Sequence, residues 1–353
     1  MYQTFIGYLK THEVSCYLLL WFTINLSTAA SIELYSDEAY YWVFSRFMDW
    51  GYLDHPPMIA ALIKLGTLIG NTEVGVRIMS ILLGTATIWL LYKLCQPIQA
   101  RFFFATVFSM LSLNLIGFIS VPDVPLLFFA TAFFYFYREY LRDTSVWSAI
   151  KLGLVIAALF YSKYHGVLLI VFTLLSNPKL FGQRNFYLAA VTAILLLLPH
   201  ILWQIQHDFP SVQYHLLDRG TSSYKINKTI GYLLGNIPFH GPWASVVLIF
   251  AALKYSTKDL WERSLKWNLI GIFVFFLFMT TKGYVEANWT LMMVVPFLVL
   301  GLRKLMEWKG FQKVYLRVTY IFVALIVMVR LLLIFPIDSL PIKRVLEFHG
   351  GEH

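Results

Sequence analysis

Runs of apolar residues recur along the whole chain, and short polar stretches separate them. Most of the runs can cross the hydrocarbon core of a bilayer, which is about 30 Å thick, and helices satisfy their own backbone polar groups there. The pattern predicts eleven membrane-spanning helices, at residues 14–35, 74–95, 101–119, 122–141, 146–161, 166–177, 184–203, 238–253, 267–281, 289–303 and 314–335. The chain is thus predicted to be an all-α integral membrane protein with a single domain over residues 1–353, although two of the runs, 146–161 and 166–177, are short.

Two long polar loops fall on the same side of this arrangement, at residues 36–73 and 204–237. The first is predicted to form two amphipathic helices at the membrane interface, because Ser36 is a good N-cap and the pair Pro56-Pro57 can open a second helix. The tyrosines, tryptophan and phenylalanines that follow Ser36 are typical of helices that lie among lipid headgroups. The second loop mixes histidines, lysines and tyrosines, and it is predicted to cover an active site.

Composition excludes a soluble globular protein, since 59% of the residues are hydrophobic, 13% are charged and the mean hydropathy is +0.67. The side of the membrane that holds the N-terminus carries 17 of the 28 lysines and arginines, and the other side carries ten. By the positive-inside rule the N-terminus is cytoplasmic, and the two long loops face the periplasm or outside of a bacterial inner membrane. The net charge of +9 then lies near anionic lipid, and no nucleic-acid partner is expected.

The two cysteines, Cys16 and Cys95, lie in or beside different apolar runs, so neither a disulfide nor a cysteine metal site is predicted. The first apolar run is too long for the core of a signal peptide, and Lys10 is the only lysine or arginine before it. It is therefore predicted to be retained as a helix.

Five groups of polar residues fall on the predicted outer side. They are SDEAYYW (36–42) with GYLDHPP (51–57), VPDVP (121–125), SKYHG (162–166), QHDFP (206–210) and KGYVEANW (282–289). Charges near hydrocarbon are costly, so their restriction to one face indicates a polar site. Clustered carboxylates suit a general base or a clamp for a divalent ion or sugar hydroxyls, and lysine with histidine suits a phosphate. The candidates are Asp37, Glu38, Asp54, His55, Asp123, Lys163, Tyr164, His165, His207, Lys282, Glu286, Asn288 and Trp289.

Several candidates also have a purely structural interpretation. Acids in the first turn of a helix complement its dipole, by about 0.3–1 kcal/mol, which would account for Asp37, Glu38 and Asp123. A lysine near the end of a span, such as Lys163, can extend toward the headgroups. His207 can be ordinary loop polarity.

Two further charged positions need partners. Lys282 and Glu286 are four residues apart and could form a surface pair on a helix. Arg330 lies inside the last predicted span, where an unpaired charge is costly, so Glu33 or a lipid phosphate is expected beside it.

The polar groups also carry a family resemblance. The runs DEAYYWVFSRFMDWGYLDHPPMIAALIKLGT, EVGVRIMSILLG, VPDVPLLFF, SKYHGVLL and KGYVEANW resemble the bacterial branch of the protein O-mannosyltransferase and aminoarabinose transferase family of GT-C glycosyltransferases. The similarity covers about residues 36 to 300, and the first run is the most specific. It implies a multi-helix membrane fold whose first outer loop carries an Asp-Glu motif. Asp37 falls on the catalytic aspartate with Glu38 beside it, and His55 stands where aminoarabinose transferases carry a lysine.

The resemblance implies an inverting glycosyltransferase that takes a monosaccharide from a polyprenyl-phosphate donor at the outer face. Asp37 would be the base, and Lys163, His165 and Lys282 would hold phosphate. The other candidates would bind sugar, acceptor or a divalent cation. The tail at 336–353 is short, which favours a membrane-lipid or envelope-glycan acceptor over a protein.

No nucleotide or organic cofactor is expected, because the cytoplasmic loops are short and lack glycine-rich phosphate motifs. The alternative is a transporter or flippase of lipid-linked sugars. It predicts internal repeats with broken helices near the bilayer midplane, and the sequence shows no repeat.

Overall fold

The computed structural model describes residues 12–96, 98–215 and 223–335. Within these ranges the chain forms sixteen α-helices and no strand, which confirms the all-α prediction. In chain order they are α1 Glu13–Ser31, α2 Ser36–Arg46, α3 Met58–Thr67, α4 Glu73–Cys95, α5 Ala100–Phe108, α6 Leu111–Ile116, α7 Asp123–Arg142, α8 Val146–Ser162, α9 Val167–Ser176, α10 Arg184–Gln206, α11 Pro210–Gln213, α12 Ile226–His240, α13 Pro242–Lys254, α14 Leu260–Met279, α15 Val294–Glu307 and α16 Gln312–Ile334. Short 3₁₀ turns precede α9, α10 and α15, at Tyr164–Gly166, Pro178–Gly182 and Ala287–Met293.

Several of these helices are long and apolar enough to cross a membrane. Among the described residues five stretches qualify: Glu13–Ser31, Glu73–Cys95, Arg184–Gln206, Ala287–Glu307 and Gln312–Ile334. Helices α12 and α13 add a sixth if this bent pair counts as one span, and α8 is apolar but shorter. The chain is therefore a multi-pass membrane protein, and the number of eleven spans stays a prediction.

The polar loop at 36–73, which is predicted to face outward and is called the first outer loop here, forms the two short helices that its sequence predicts. Helix α2 already includes Ser36, because the carboxylate of Glu38 accepts a hydrogen bond from the backbone N–H of Tyr35 (3.0 Å) and closes the first turn. Helix α3 follows the two prolines. The loop between them is fixed on α10, since a Cβ added to Gly51 would lie 2.4 Å from a ring carbon of Trp203.

The second predicted loop, 204–237, is largely helical where the structure describes it. Helix α10 continues to Gln206, and α12 begins at Ile226, so the prediction of a loop is wrong for 226–237. Residues 216–222 lie outside the described ranges. Helix α12 meets α13 at an angle of 106°, and Gly241 makes this bend with a φ of +96°.

Close helix contacts hold the bundle together. Helix α8 packs on both α7 and α10, and α13 packs on α15. A Cβ on Gly153 would lie 2.5 Å from the carbonyl oxygen of Ala189, and one on Gly301 would lie 2.5 Å from that of Leu248. Small residues at these crossings let the helix backbones approach, as is usual between membrane helices.

Arg330 on α16 joins helices that are distant in sequence. Its guanidinium donates to Asn25 Oδ1 and Thr28 Oγ1 on α1, both at 2.9 Å, and to the carbonyl oxygen of Asn114 on α6. The prediction of Glu33 as its partner is wrong, because these neutral acceptors already surround the charge.

Candidate active site

A cavity of about 780 Å³ lies where the first outer loop meets the start of α7, the end of α8 and the turn before α15. Eleven of the thirteen predicted site residues line it, and the two exceptions are Glu38 and His207. Six charged side chains line the cavity: Asp37, Asp54, Asp123, Lys163, Lys282 and Glu286. Apolar side chains also line it, among them Leu115, Ile119, Phe239, Phe275, Phe276 and Met279. The cavity thus combines charged groups with apolar surface.

Asp37 stands in the first turn of α2 and exposes its side chain toward the cavity. Partial desolvation raises the pKa of its carboxyl group above the usual value. The charge of His55 opposes this rise, and the nearby carboxylates of Asp123 and Asp54 add to it. A carboxylate with a raised pKa holds a proton more tightly, so Asp37 is suited to act as a general base.

Asp54 is held between the two helices of the first outer loop and a histidine from beyond α11. Tyr40 on α2 donates its hydroxyl to Asp54 Oδ1 (3.2 Å), and His55 Nδ1 lies 2.9 Å from Oδ2. The backbone oxygen of Asp54 also lies 2.8 Å from His215 Nε2. Burial alone would raise the pKa of Asp54, but the bonds from His55 and Tyr40 outweigh it, and the pKa lies below the usual value. Asp54 therefore stays ionised beside Asp37.

Asp123 and Lys163 form a buried ion pair in the lining of the cavity. The Lys163 ammonium lies 2.9 Å and 3.0 Å from the two carboxylate oxygens of Asp123, and Asn288 Nδ2 donates to Oδ2 (3.1 Å). Lys163 is 5% exposed, so it does not extend toward headgroups. The pair joins α7, the end of α8 and the 3₁₀ turn before α15.

Glu38 was predicted to be catalytic, but its side chain points to the buried side of α2 and does not line the cavity. Its oxygens accept hydrogen bonds from Arg77 Nε (2.8 Å), Arg77 Nη2 (2.6 Å) and the backbone N–H of Ser120 (2.8 Å), and both charged side chains are fully buried. Arg77 uses its other donors on the carbonyl oxygens of Ala29, Ile32 and Glu33. Glu38 therefore holds α2 and its neighbour Asp37 in place, and it has no oxygen left for a substrate.

His207 was predicted to bind substrate, but it does not line the cavity. It is exposed at the end of α10, where its Nδ1 lies 2.8 Å from the backbone oxygen of Trp203 and its ring stacks on that indole. This position agrees with the interpretation of His207 as ordinary loop polarity. Lys282 and Glu286 do not form a helix pair, because residues 280–286 are not helical, and both side chains are exposed and line the cavity.

The aromatic candidates form part of the cavity wall. The ring of Trp289 lies 4.9 Å from that of His165. Tyr164 accepts a hydrogen bond from Gln204 Nε2 (3.0 Å) and lies 3.3 Å from His200 Nε2, which fixes its ring.

Several cavity residues were missed by the sequence analysis: Tyr40, Tyr41, Ser211, Tyr214 and His215. Arg77, which supports Glu38, was missed as well, although a lone arginine inside a predicted span is itself a signal. Among the described residues no group of three or more His, Cys, Asp or Glu is arranged to hold a metal ion.

Three comparisons relate the chain to known proteins. A family model described as dolichyl-phosphate-mannose-protein mannosyltransferase matches residues 54–203. The lipid A galacturonosyltransferase RgtD of Rhizobium johnstonii is 25% identical over 296 residues, which are 80% of this chain and 62% of that protein. The chain thus spans less than two thirds of the length of this curated relative.

Two solved structures of ArnT from Cupriavidus metallidurans have the same fold. The apo structure aligns with a TM-score of 0.67 and 18% identity, over 86% of this chain and 62% of the other. The structure bound to undecaprenyl phosphate aligns with a TM-score of 0.66 and 17% identity, over 92% and 72%.

Proposed function

We propose that this chain is a glycosyltransferase of the ArnT-like branch of the GT-C family, and that it transfers a monosaccharide from a polyprenyl-phosphate donor to a membrane-lipid or envelope-glycan acceptor. The observation that carries the proposal is the cavity, whose lining combines the exposed carboxylate of Asp37 with two lysines and with apolar side chains. The relatives support both substrates: one ArnT structure contains undecaprenyl phosphate, and RgtD is named for lipid A.

The reaction needs few parts, because a phosphate is already a good leaving group. Asp37 takes the proton of the acceptor hydroxyl, and the acceptor oxygen bonds to the anomeric carbon from the face opposite the phosphate. The bond between that carbon and the phosphate oxygen breaks, and polyprenyl phosphate leaves with the electron pair. Configuration at the anomeric carbon is inverted.

Lysines stabilise the charge that the leaving phosphate gains. Lys282 is exposed to the cavity and supplies a full positive charge. Lys163 is committed to Asp123, but an ammonium has three donors and can still donate to a phosphate oxygen. We assign Lys282 the larger electrostatic role and Lys163, with His165, a hydrogen-bonding role.

The remaining cavity residues would bind the sugar and the acceptor. Asp54, Glu286 and Asn288 suit hydroxyl groups, and Trp289 offers an aromatic face. A second cavity of about 520 Å³ includes Pro57, two residues after His55, in its lining. Its other lining residues are Met48, Asp49, Trp50, Met58, Ala61 and Tyr161. Its mostly apolar wall suits an acyl chain of a lipid acceptor.

Purified protein, labelled polyprenyl-phosphate sugar and separate envelope lipid and protein fractions test the proposal. Wild type should transfer label to lipid or glycan, and Asp37→Asn should lose transfer by at least about 100-fold, as expected when a general base is removed. Its melting temperature in detergent should hardly change, since the dipole contribution of Asp37 is at most about 1 kcal/mol. Glu73→Gln, an exposed acid in the first turn of α4 that lines neither cavity, is the matched control.

Transfer by the Asn variant at the wild-type rate would remove Asp37 from the mechanism. Label in serine or threonine of proteins, with none in lipid, would change the acceptor while the donor stands.

The bent pair α12 and α13 favours a second candidate, because broken helices are typical of transporters. A flippase would move a fluorescent lipid-linked sugar across proteoliposomes without cleaving it, and Asp37→Asn would leave that movement unchanged.

A further inference from the structure

A buried network of hydrogen-bonded side chains lies next to the cavity, between α6, α12 and the 3₁₀ turn Ala287–Met293. His240 at the end of α12 is 2% exposed. Its Nδ1 lies 3.2 Å from Ser112 Oγ on α6, and its Nε2 lies 3.0 Å from Thr290 Oγ1 on the turn. The site described above uses none of these three residues.

The partners of Thr290 decide which nitrogen of His240 carries the proton. The Thr290 hydroxyl donates to Asn236 Oδ1 or to the carbonyl oxygen of Ala287, and it has only one proton to give. Asn236 is oriented by its own bond from Nδ2 to the carbonyl oxygen of Tyr232 (2.7 Å). Thr290 must therefore accept from His240 Nε2–H, and His240 Nδ1 then accepts from the hydroxyl of Ser112.

The same short turn faces the cavity with its other side. Asn288, two residues before Thr290, donates to Asp123, which holds the Lys163 ammonium. Thr290 and Asn288 thus belong to one short turn. Thr290 fixes the turn to His240, and Asn288 holds the buried pair of Asp123 and Lys163. Phe239, next to His240, lines the cavity directly.

We propose that His240 is a positioning residue for the lipid-phosphate donor: as the Nε2–H tautomer it fixes Thr290, and through the turn it places Asn288, Asp123 and the Lys163 ammonium at the phosphate. The inference rests on the proposed function. It predicts weaker donor binding when these hydrogen bonds are removed, with the base at Asp37 unaffected.

Paired variants test it. Thr290→Val keeps the shape of the side chain and removes the hydroxyl, whereas Thr290→Ser keeps the hydroxyl. His240→Leu removes both ring nitrogens, and His240→Gln retains a donor near the Nε2 position. Thr131→Val is the control, because the buried hydroxyl of Thr131 bonds only within its own helix, to the carbonyl oxygen of Leu127.

Two readouts are measured: donor KM and kcat in the transfer reaction, and the Kd for radiolabelled undecaprenyl phosphate, which needs no turnover. Thr290→Val and His240→Leu should raise donor KM and Kd about tenfold, as expected for one lost hydrogen bond, and change kcat less than about threefold. Thr290→Ser, His240→Gln and Thr131→Val should stay within about threefold of wild type. Equal Kd values for Thr290→Val and wild type overturn the inference, as does a loss confined to kcat.

A third readout is independent of activity. Solid-state ¹⁵N spectra of histidine-labelled protein, assigned with His240→Gln, should show the Nε2–H tautomer for His240, and an Nδ1–H tautomer overturns the network. A wild type that neither transfers sugar nor binds undecaprenyl phosphate overturns the proposed function, while the tautomer still tests the network.

Discussion

At the scale of single residues, the ionisation of Asp37 should set the pH dependence of transfer. The base acts as a carboxylate, so kcat/KM should fall as the pH decreases through its pKa. Because desolvation raises that pKa, the acidic limb should lie above the value of about 3.9 for an ordinary aspartate. A pH profile of kcat/KM measures it, and Glu73→Gln should keep the same acidic limb. A limb at the ordinary value would contradict the assignment of Asp37.

The buried pair of Glu38 and Arg77 should control stability rather than chemistry. Glu38→Gln leaves the arginine without a counter-charge, and breaking a buried pair in this way costs about 3–5 kcal/mol. Glu307→Gln, which breaks the exposed pair with Lys304, should cost at most about 1 kcal/mol.

Thermal unfolding in detergent compares these two variants. Replacing Glu38 and Arg77 together by methionine should restore only part of the loss, since the backbone N–H groups of Ser120 and Tyr35 would lose their acceptor. A Glu38→Gln protein as stable as wild type would show that Arg77 finds another partner.

Sequence predicted most of the residues that line the candidate site, but the residues alone did not separate Asp37 from Glu38, and only the family resemblance made Asp37 the base. Asp37 and Glu38 are equally acidic on paper, and only the rotation of α2 decides that one faces the cavity and the other faces Arg77. The pairing of Asp123 with Lys163 was equally inaccessible, because these residues are 40 positions apart and the contact depends on how α7 packs on α8.

At the scale of elements, the crossing of α3 and α4 depends on glycine. A Cβ on Gly75 would lie 1.7 Å from the carbonyl oxygen of Gly70, and one on Gly66 would lie 2.2 Å from that of Gly75. Gly75→Ala should therefore push α3 away, lower the melting temperature and lower kcat/KM, because α3 follows the segment that carries Asp54. Gly231→Ala is the control: nothing lies within 4 Å of that position, so stability should not fall. An unchanged Gly75→Ala protein would show that the two backbones can separate without cost.

Local patterns predicted the elements well where one signal dominates. The acidic first turn and the proline pair placed α2 and α3 correctly. Helix α12 was missed because lysines, asparagine and glycines interrupt its apolar face, so the loop composition of 219–228 outweighed the period of Ile226, Ile230, Leu233 and Ile237. The break between α5 and α6 at Ser109 has no clear signal in an apolar run.

At the scale of the whole molecule, the charge distribution predicts the orientation in the membrane. Single cysteines at Ser223 and Lys258, both exposed, should differ in labelling by a membrane-impermeant thiol reagent, in a background with Cys16 and Cys95 replaced. Label from outside should reach position 223 and not position 258. The reverse pattern would place the carboxylate cavity in the cytoplasm and contradict a periplasmic reaction.

The contact of Arg330 with the first described helix has a consequence for how the chain is made. Helix α1 enters the membrane early in synthesis, and its Asn25 and Thr28 offer acceptors to Arg330, more than 300 residues later. Until α16 is inserted, these acceptors contact lipid or temporary partners. The carbonyl group of Asn114 on α6 likewise lacks its bond from Arg330. The hydrogen bonds that join α1, α6 and α16 can therefore form only after translation of almost all of the described chain. A nascent chain on a ribosome stalled before residue 330 should accordingly be cleaved by proteases more readily than the finished protein.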